Sequence, residues 1–441
     1  MNTAASTAAT APAAPSQSEI RRVAISSWIG TTIEFYDFLL YGTAAALVFG
    51  KLFFPENSAT AGTLAAFATL AVGYVARPLG AAVFGHFGDK VGRKKMLMLT
   101  LVLMGVSSTL IGLLPTYQMV GILAPVLLVA CRLVQGIAIG GEWGGAALMV
   151  VEHASVKNRA FWGSFAQIGA PSGVLLSTGI LAIMTQLPQE QFESWGWRIP
   201  FLLSVVLLVI GYVIRSSVSE SPLFAEAQRR QAETKVQEVK VPLLELLRRP
   251  GPLFSALGIG LGAFVIQAVM LLFGLAHLID IGFDRSDVLK VHTAGSALLI
   301  VLVVVMAVLA DRLGRRPVVL AGALLSAAWA YPMLHLMNTG QMWGLVLAVA
   351  VGTVAQAAMY APLVALLAEK FKLRTRYTGA SLGYQGAALI GAGFTPLVAT
   401  ALKDYAGGGT GLVSALLLGC SLLCAACVWF SGESQHNDLS E

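Results

Sequence analysis

The chain has 441 residues, of which 56% are hydrophobic and 12% charged, and its mean hydropathy is +0.76. A soluble protein carries about 25% charged residues, so polar groups cannot cover the surface of this one, and an ordinary soluble domain is excluded. The net charge of +6 does not indicate a nucleic-acid partner, because about 22 of the 29 Lys and Arg residues fall in alternate loops that would share one membrane face.

The chain begins with a segment rich in Ala, Thr, Ser and Pro that has no basic region before an apolar core. We expect residues 1–20 to be a disordered tail rather than a signal peptide. Twelve apolar stretches follow, each long enough to cross a bilayer. They are predicted at 23–50, 62–86, 96–114, 119–150, 160–187, 199–216, 252–279, 289–310, 317–337, 342–368, 377–402 and 410–431.

The long polar stretch at 217–250 divides these spans into two groups of six. The sequence therefore predicts an all-α integral membrane protein with twelve transmembrane helices in two pseudo-symmetric bundles, 21–216 and 251–431. The basic loops place both termini, the linker and the tail at 432–441 on the cytoplasmic side.

A charged loop occurs once in each half and joins the second and third spans of that half. Gly85 to Lys95 (GHFGDKVGRKK) recurs as Ala307 to Arg316 (AVLADRLGRR). A carboxylate at the end of one helix can accept hydrogen bonds from the free N–H groups at the start of another, and an arginine can hold it there. We predict gating loops built on Gly85, Asp89, Gly92 and Arg93, and on Asp311, Gly314 and Arg315.

Ionisable side chains at bilayer depth are costly and usually face a cavity with a task. Glu34, Asp37 and Tyr41 lie on one face of the first span, and two carboxylates this close favour the binding of a proton by one of them. Arg132 on the fourth span is expected to pair with Asp37 in the empty protein. We predict proton coupling by Glu34, Asp37, Arg132 and Glu142, although a static buried ion pair is the alternative.

The second half carries almost no charge inside its spans and offers hydrogen-bonding groups and rings instead. We predict that a substrate contacts residues from both halves: Tyr41, Arg77, Gln135, Gln167, Gln267, His277, Gln356, Tyr360 and Tyr384. The alternatives are a position at the membrane interface for Arg77 and a helix–helix contact for His277.

Other protein classes are weaker interpretations. Gly379-Ala-Ser381-Leu-Gly383 matches a hydrolase nucleophile pattern, but it falls inside an apolar span, so no catalytic residue is assigned. The four cysteines lack nearby His or acidic partners, which argues against a metal site, and no cofactor is expected. A channel or a sensor fits the composition, but neither explains the doubled loop.

Several motifs in a fixed order resemble the major facilitator superfamily, and within it the metabolite:proton symporters. They cover nearly everything after residue 20 and include EFYDFLLY from Glu34, RPLG from Arg77, the loop at Gly85, GGEWGG from Gly140, WGWRIP from Trp195, ESP from Glu220 and RYTG from Arg376. Two departures are Lys90, where the superfamily usually has Arg, and Ala307, where it usually has Gly.

The resemblance implies a carrier that works by alternating access in the inner membrane of a bacterium. It implies symport of protons with a small organic acid, with a proline- or betaine-like zwitterion as the alternative, and function as a monomer. A segment at Gly169-Ala-Pro171 resembles a bend associated with antiporters, so the direction of coupling stays open. By analogy with the family, Asp89 would meet the start of the eleventh span near Thr378, and Asp311 the start of the fifth near Ala160.

Overall fold

The computed structural model describes residues 16–55, 59–221, 224–226, 229, 242–248, 250–435 and 439. Long helices run through nearly all of this part of the chain. In chain order they are α1 Gln17–Ala44, α2 Ala59–Val91, α3 Arg93–Leu113, α4 Leu123–His153, α5 Arg159–Met184, α6 Arg198–Ser216, α7 Gly251–Asp280, α8 Arg285–Leu313, α9 Arg315–Asn338, α10 Met342–Lys370, α11 Arg376–Tyr405 and α12 Gly411–Ser431.

Shorter elements interrupt or connect the long helices. α7 contains a π-helical turn at Val269–Phe273, α11 contains one at Leu389–Phe394, and α10 breaks at residues 361–362. In the described part of the chain, ten helices are long and apolar enough to cross a membrane, and the bent pair Gln17–Ala44 and Leu47–Phe53 makes eleven. α2 is the remaining long helix.

The boundaries differ from the prediction mainly at the two ends of the first half. Ser16 caps the start of α1, where its hydroxyl accepts a hydrogen bond from the Glu19 backbone N–H, so residues 17–20 are helical and do not belong to a disordered tail. Residues 1–15 lie outside the described residues, as does most of the predicted linker, of which the helix Pro242–Arg248 is described.

The helices that contact one another repeat between the halves. α1 packs on α5 and α2 on α4 in the first half, as α7 packs on α11 and α8 on α10 in the second. The halves meet mainly through α2 against α11 and α5 against α8. Two bundles related in this way are the arrangement that the doubled loop predicts.

Glycines let α2 and α4 approach until their backbones touch. A Cβ built on Gly140 would lie 2.0 Å from the Arg77 carbonyl oxygen, and one built on Gly136 would lie 2.3 Å from the Gly73 carbonyl oxygen. Small residues at such contacts are how membrane helices come close. The contact brings the predicted site residues of α2 and α4 to one level of the bundle.

The outward faces of the helices are apolar. α6, for example, exposes a row of aliphatic side chains that includes Val206, Val209 and Val213, and Val213 is 60% exposed. A surface of this kind is stable against lipid chains rather than water.

Candidate functional site

The predicted contact of the first charged loop is present. Asp89, at the end of α2, accepts hydrogen bonds from the backbone N–H groups of Tyr377 and Thr378 (both 3.0 Å) and from the Thr378 hydroxyl (2.7 Å). These N–H groups begin α11 and have no partner inside their own helix, so a carboxylate satisfies them. We call the end of the bundle that carries Asp89 and Asp311 the basic end.

The second loop makes the matching contact in the opposite direction. Asp311, at the end of α8, accepts from the N–H groups of Ala160 (3.0 Å) and Phe161 (2.7 Å), which begin α5. Arg315 holds this carboxylate, with its guanidinium 3.2 Å from the nearer Asp311 oxygen. Each half therefore caps a helix of the other half.

Gly92 and Gly314 turn the two loops with φ angles of 117° and 102°, which glycine adopts without steric cost.

The role predicted for Arg93 is wrong in one respect. Its buried guanidinium pairs with Glu152 at the end of α4 instead of donating a hydrogen bond to Asp89. Glu152 also accepts from Arg376 at the start of α11 (3.2 Å) and from the Ser221 hydroxyl. Arg93 turns toward Glu152 because that carboxylate is buried beside it, whereas the Asp89 oxygens are already occupied by the α11 N–H groups.

The second half repeats this cluster, and the sequence analysis missed both copies. Glu369 at the end of α10 lies 3.4 Å from Arg315 and 3.4 Å from Arg159, which begins α5 in the other half. The sequence does contain a sign of this repeat, because the spacing from Glu152 to Arg159 in the first half equals the spacing from Glu369 to Arg376 in the second.

Two further carboxylates fix the starts of α3 and α9. Glu220 accepts hydrogen bonds from the backbone N–H groups of Arg93 (3.2 Å) and Lys94 (3.2 Å). Glu433, in the predicted tail, does the same for Arg315 (3.1 Å) and Arg316 (3.0 Å). All these contacts lie at the basic end, so the two halves are held together there.

Asp37 and Arg132 are both buried near the middle of the first half, but the predicted ion pair between them is not formed. Asp37 accepts a hydrogen bond from the Ser204 hydroxyl (2.6 Å). Arg132 donates to Gln135 (2.9 Å), whose amide donates to the Ser108 hydroxyl (2.6 Å). The second Asp37 oxygen and the Nε and Nη2 atoms of Arg132 have no hydrogen-bond partner among the described residues.

Arg132 and Arg77 lie against aromatic rings. The Arg132 guanidinium carbon is 4.0 Å from the centre of the Tyr41 ring, and that of Arg77 is 4.3 Å from the Phe38 ring and 4.5 Å from the Tyr74 ring. Such stacking steadies a guanidinium without neutralising it. The Arg77 side chain is therefore inside the bundle and not at a membrane interface, and Arg77 and Arg132 are two positive groups with N–H donors to spare.

Glu34 and Glu142 form a second charged group, with a partner that sequence reasoning missed. Arg215, near the end of α6, donates to Glu142 (2.6 Å) and to the Leu97 carbonyl oxygen (3.0 Å). All three side chains are buried. One oxygen of Glu34 and one of Glu142 have no hydrogen-bond partner among the described residues. No pattern in the sequence distinguished Arg215 from the other basic residues that follow a span.

An aromatic network joins the two halves at the level of Trp143. The Trp143 ring stacks on the Tyr384 ring with centroids 3.5 Å apart, and its indole N–H donates to Gln167 (3.1 Å). The Gln167 amide donates to the Tyr360 carbonyl oxygen (2.9 Å), and the Tyr360 and Tyr384 hydroxyls are 2.9 Å apart. The structure thus brings the predicted residues Gln167, Tyr360 and Tyr384 together, and adds Trp143.

His277 is not part of this group. Its Nε2 atom lies 2.6 Å from the Asn338 amide oxygen, and Asn338 donates to Thr410 (2.8 Å). Asn338 ends α9 and Thr410 precedes α12, so His277 makes a contact between helices at the end of the bundle opposite the basic end. This contact is the alternative given for His277 in the sequence analysis, and its role as a substrate ligand stays a prediction. Gln356 is buried on α10 and Gln267 is half-buried on α7.

The hydrolase pattern and metal binding find no support in the described residues. Ser381 lies within helical α11 and faces α4, where a Cβ built on Gly144 would lie 1.8 Å from the Ser381 hydroxyl. A nucleophile of this pattern requires a strained, exposed turn, so the geometry does not suit hydrolysis. No group of three or more His, Cys, Asp or Glu side chains in the described part of the chain is placed to hold a metal.

Comparison with known proteins agrees with this architecture. Residues 23–249 match the family model "Sugar (and other) transporter" and residues 270–440 match "Major Facilitator Superfamily". The chain is 40% identical to the shikimate transporter of Escherichia coli (96% of each chain) and 31% identical to the proline/betaine transporter of Salmonella typhimurium (88% of this chain and 78% of the relative).

Solved structures give the same fold. A proton:xylose symporter, XylE bound to 6-bromo-6-deoxy-D-glucose, aligns with a TM-score of 0.80 at 18% identity, over 96% of this chain and 98% of that chain. The twelve-helix prediction is therefore confirmed, and the relatives are transporters rather than enzymes. This multi-pass membrane protein belongs to the major facilitator superfamily of transporters.

Proposed function

We propose that the protein is a secondary active transporter that imports a small organic acid together with protons. One observation carries the proposal: the buried guanidinium groups of Arg132, near Asp37, and of Arg77, near Glu34, form no ion pair with these buried carboxylates among the described residues. Isolated charges at this depth are costly. They therefore favour a site in which a bound anion neutralises the arginines and a bound proton neutralises the carboxylate.

The carboxylate of the substrate would bind where Arg132 and Arg77 have spare donors. Arg132 is fixed by Tyr41 and Gln135, so its remaining N–H groups are already oriented before an anion arrives. A guanidinium forms two parallel hydrogen bonds with a carboxylate, which favours an acid over a neutral sugar. The shikimate transporter of E. coli, with 40% identity, supports the same substrate class.

The proton would bind to Asp37, with Glu34 one helical turn away. A carboxylate that is buried and has no ion pair among the described residues, only hydrogen bonds from neutral groups such as Ser204, is stabilised by protonation. Uptake of a proton from outside and its release inside would link transport to the proton gradient.

A zwitterion is the second candidate, because relatives at 30–31% identity include proline/betaine transporters. Its carboxylate would use the same arginines, and its cationic group would need Asp37 or Glu34 as a partner. The positive charge of Arg77 and Arg132 together favours the acid.

We place the protein in the cytoplasmic membrane of a bacterium, with the basic end and both termini in the cytoplasm. The excess of Lys and Arg at that end supports this orientation. The contacts of Asp89 and Asp311 would then be a closed cytoplasmic gate, and their rupture would open the site inward. We also propose that the outer surface of the protein contacts lipid and that the protein functions as a monomer.

The experiment uses the purified protein in liposomes with an inward proton gradient. Labelled shikimate, α-ketoglutarate and glycine betaine are offered separately, with and without an uncoupler. We expect one of the two acids to accumulate, and the uncoupler to abolish accumulation.

The controls separate the alternatives. Glu193→Gln removes one partner of an ion pair with Lys51 outside the site and should leave uptake unchanged. Arg132→Gln should lose acid uptake while the protein still folds in detergent. Accumulation of betaine alone would replace the acid by the zwitterion, and uphill uptake that survives the uncoupler would refute proton coupling.

A further inference from the structure

Tyr74 lies on α2 one helical turn from Arg77, on the side that faces away from the basic end. Its ring contacts the proposed substrate site, because the Arg77 guanidinium carbon is 4.5 Å from the ring centre. The Phe38 ring meets the Tyr74 ring edge-on, with centroids 4.9 Å apart, and the same guanidinium carbon is 4.3 Å from the centre of the Phe38 ring. Arg77 therefore lies against two rings that also touch each other.

The second half reaches the same ring through Gly393 on α11. A Cβ built on Gly393 would lie 3.7 Å from the Tyr74 Cδ1 atom and 3.8 Å from its Cγ atom. These are ordinary van der Waals distances, so the glycine backbone faces the ring with space for about one methyl group. Tyr74 thus lies between Arg77 in its own half and the backbone of the other half.

This contact is far from the basic end. We call the end of the bundle opposite the basic end the outer end. Tyr74 is 15 residues before Asp89, and Gly393 is 15 residues after Thr378, to which Asp89 is bonded. Each therefore lies about 22 Å along its helix from the Asp89 cap, toward the outer end. Since Arg77 falls between the two levels on α2, the halves touch on both sides of its level.

Gly393 belongs to the π-helical turn Leu389–Phe394. A π-helical turn carries one residue more than an α-helical turn, and such turns are frequent at functional sites. The turn is anchored to its own half on another face, because a Cβ built on Gly391 would lie only 2.5 Å from the Phe264 Cβ on α7. It therefore holds Gly393 toward Tyr74 from a fixed position in the second half.

From these contacts we propose that Tyr74 is a positioning residue that couples the binding of an acid at Arg77 to closure of the outer end on the π-helical turn of α11. The proposal rests on the proposed function, because it takes Arg77 as a ligand of the substrate carboxylate. Tyr74 acts through Arg77 and needs no contact of its own with the acid.

The coupling has a physical basis in how a guanidinium binds. A carboxylate forms two parallel hydrogen bonds with the Arg77 guanidinium and fixes its plane. The Tyr74 ring, which lies against that guanidinium, is then fixed with it and presents a defined surface to Gly393. Without the acid, closure must also order both side chains, which costs entropy. The closed outer end therefore binds the acid more tightly than the open one, and the acid shifts the protein toward closure.

A double variant tests the contact without any substrate. Spin labels on cysteines at Ile122 and Tyr405, with the four native cysteines replaced, report the distance between the halves at the outer end, where these residues are 71% and 87% exposed. Gly393→Phe places a ring against Tyr74 and should lengthen this distance. Adding Tyr74→Ala removes the obstacle and should restore the distance of the unsubstituted background.

Gly391→Ala is the matched control for overpacking in the same turn. Its clash with Phe264 lies within the second half, so it should leave the label distance unchanged. An unchanged distance in Gly393→Phe, or a long distance that persists after Tyr74→Ala is added, would overturn the proposal.

The response to an acid tests the coupling. The same labels are measured with and without saturating shikimate or α-ketoglutarate. We expect an acid to raise the ratio of closed to open molecules by about tenfold, a common size for coupling between two sites. Tyr74→Phe keeps the ring and should keep this rise, whereas Tyr74→Leu, which has no aromatic face, should lose most of it. A merely structural role would lower the thermal stability of Tyr74→Leu but leave the rise in place.

Uptake into liposomes separates failure of the coupling from failure of the proposed function. If the wild-type protein takes up neither acid and neither acid changes the distance, the proposed function fails and the coupling with it. If the wild-type protein accumulates an acid, but that acid does not close the outer end or closes Tyr74→Leu equally well, the coupling alone is refuted.

Discussion

Gly85→Ala should open the basic end without weakening either half. Gly85 lies on α2 where it crosses α11, and a Cβ at this position would lie 2.7 Å from the Thr378 Cα and 3.1 Å from its backbone nitrogen. Backbone atoms cannot rotate aside as a side chain can, so α2 and α11 must separate. Thr378 belongs to the other half, so the clash exists only while the basic end is closed.

The size of the effect follows from the cost of overpacking. An extra methyl group in a well-packed contact costs about 1–3 kcal/mol. If the closed state alone bears this cost, the ratio of open to closed molecules rises by about 5–150-fold. Asp89, which caps α11 at the same crossing, would lose its short contacts with Thr378 as the helices part.

Distance measurements between spin labels read out this change. Val91 and Leu313 end α2 and α8 at the basic end, are 42% and 60% exposed, and belong to different halves. Labels on cysteines at these positions, with the four native cysteines replaced, should report a longer distance in Gly85→Ala than in the unsubstituted background.

A matched variant controls for overpacking as such. Gly112 on α3 has comparable space, since a Cβ there would lie 2.9 Å from the Phe201 Cβ, but Phe201 is in the same half. Gly112→Ala should lower thermal stability and leave the distance unchanged. A closed distance in Gly85→Ala that equals that of the background would refute the reasoning, because the clash would then have been absorbed without separating the halves.

Four further predictions follow from the described contacts. Asp89→Asn should lengthen the same distance, because an amide caps the α11 N–H groups more weakly than a carboxylate does; the loss is about 0.3–1 kcal/mol, and an unchanged distance would count against the gate. Asp37→Asn should keep the fold but remove the pH dependence of uptake, and a normal pH profile would exclude Asp37 from coupling. Arg215→Gln should cost about 3–5 kcal/mol by leaving Glu142 unpaired, and thermal unfolding should find the double variant with Glu142→Gln more stable than the single one. Ser381→Ala should leave transport intact, since the Ser381 hydroxyl has no hydrogen-bond partner among the described residues; loss of transport would revive a role for it.

The hydropathy of the sequence predicted the helices well, because a span in lipid must satisfy its own backbone and therefore has a length and composition that are easy to recognise. The start of α1 was placed late because polar residues from Gln17 onward continue the helix beyond the apolar stretch. The contacts of Asp89 and Asp311 were predicted because the family resemblance located them and because the free N–H groups at a helix start are fixed hydrogen-bond donors that depend little on side-chain packing.

The partners of buried arginines were harder to predict. Arg93, Arg132 and Arg215 each have several acidic or amide groups within reach of a long side chain, and the choice among them depends on which rotamer the neighbouring helices allow. Sequence spacing orders groups along one helix but carries no information on how helices are rotated relative to one another. Arg132 therefore bonds Gln135 on its own helix, although charge alone favoured Asp37.

Contacts that are repeated in both halves were easier to predict from the sequence than contacts that occur in one half. The clusters at Glu152 and Glu369, and the caps at Glu220 and Glu433, occur in both halves, so a comparison of the halves would have identified each from the other. Glu34 and Glu142 were identified from the sequence by their depth in the bilayer, whereas Arg215 was recognised only from its burial and its hydrogen bond to Glu142. Contacts that occur in both halves suit a motion that both halves share, whereas the group of Glu34, Glu142 and Arg215 lies within the first half, and the carboxylate oxygens of Glu34 and Glu142 that lack hydrogen-bond partners among the described residues agree with the proposed coupling to protons.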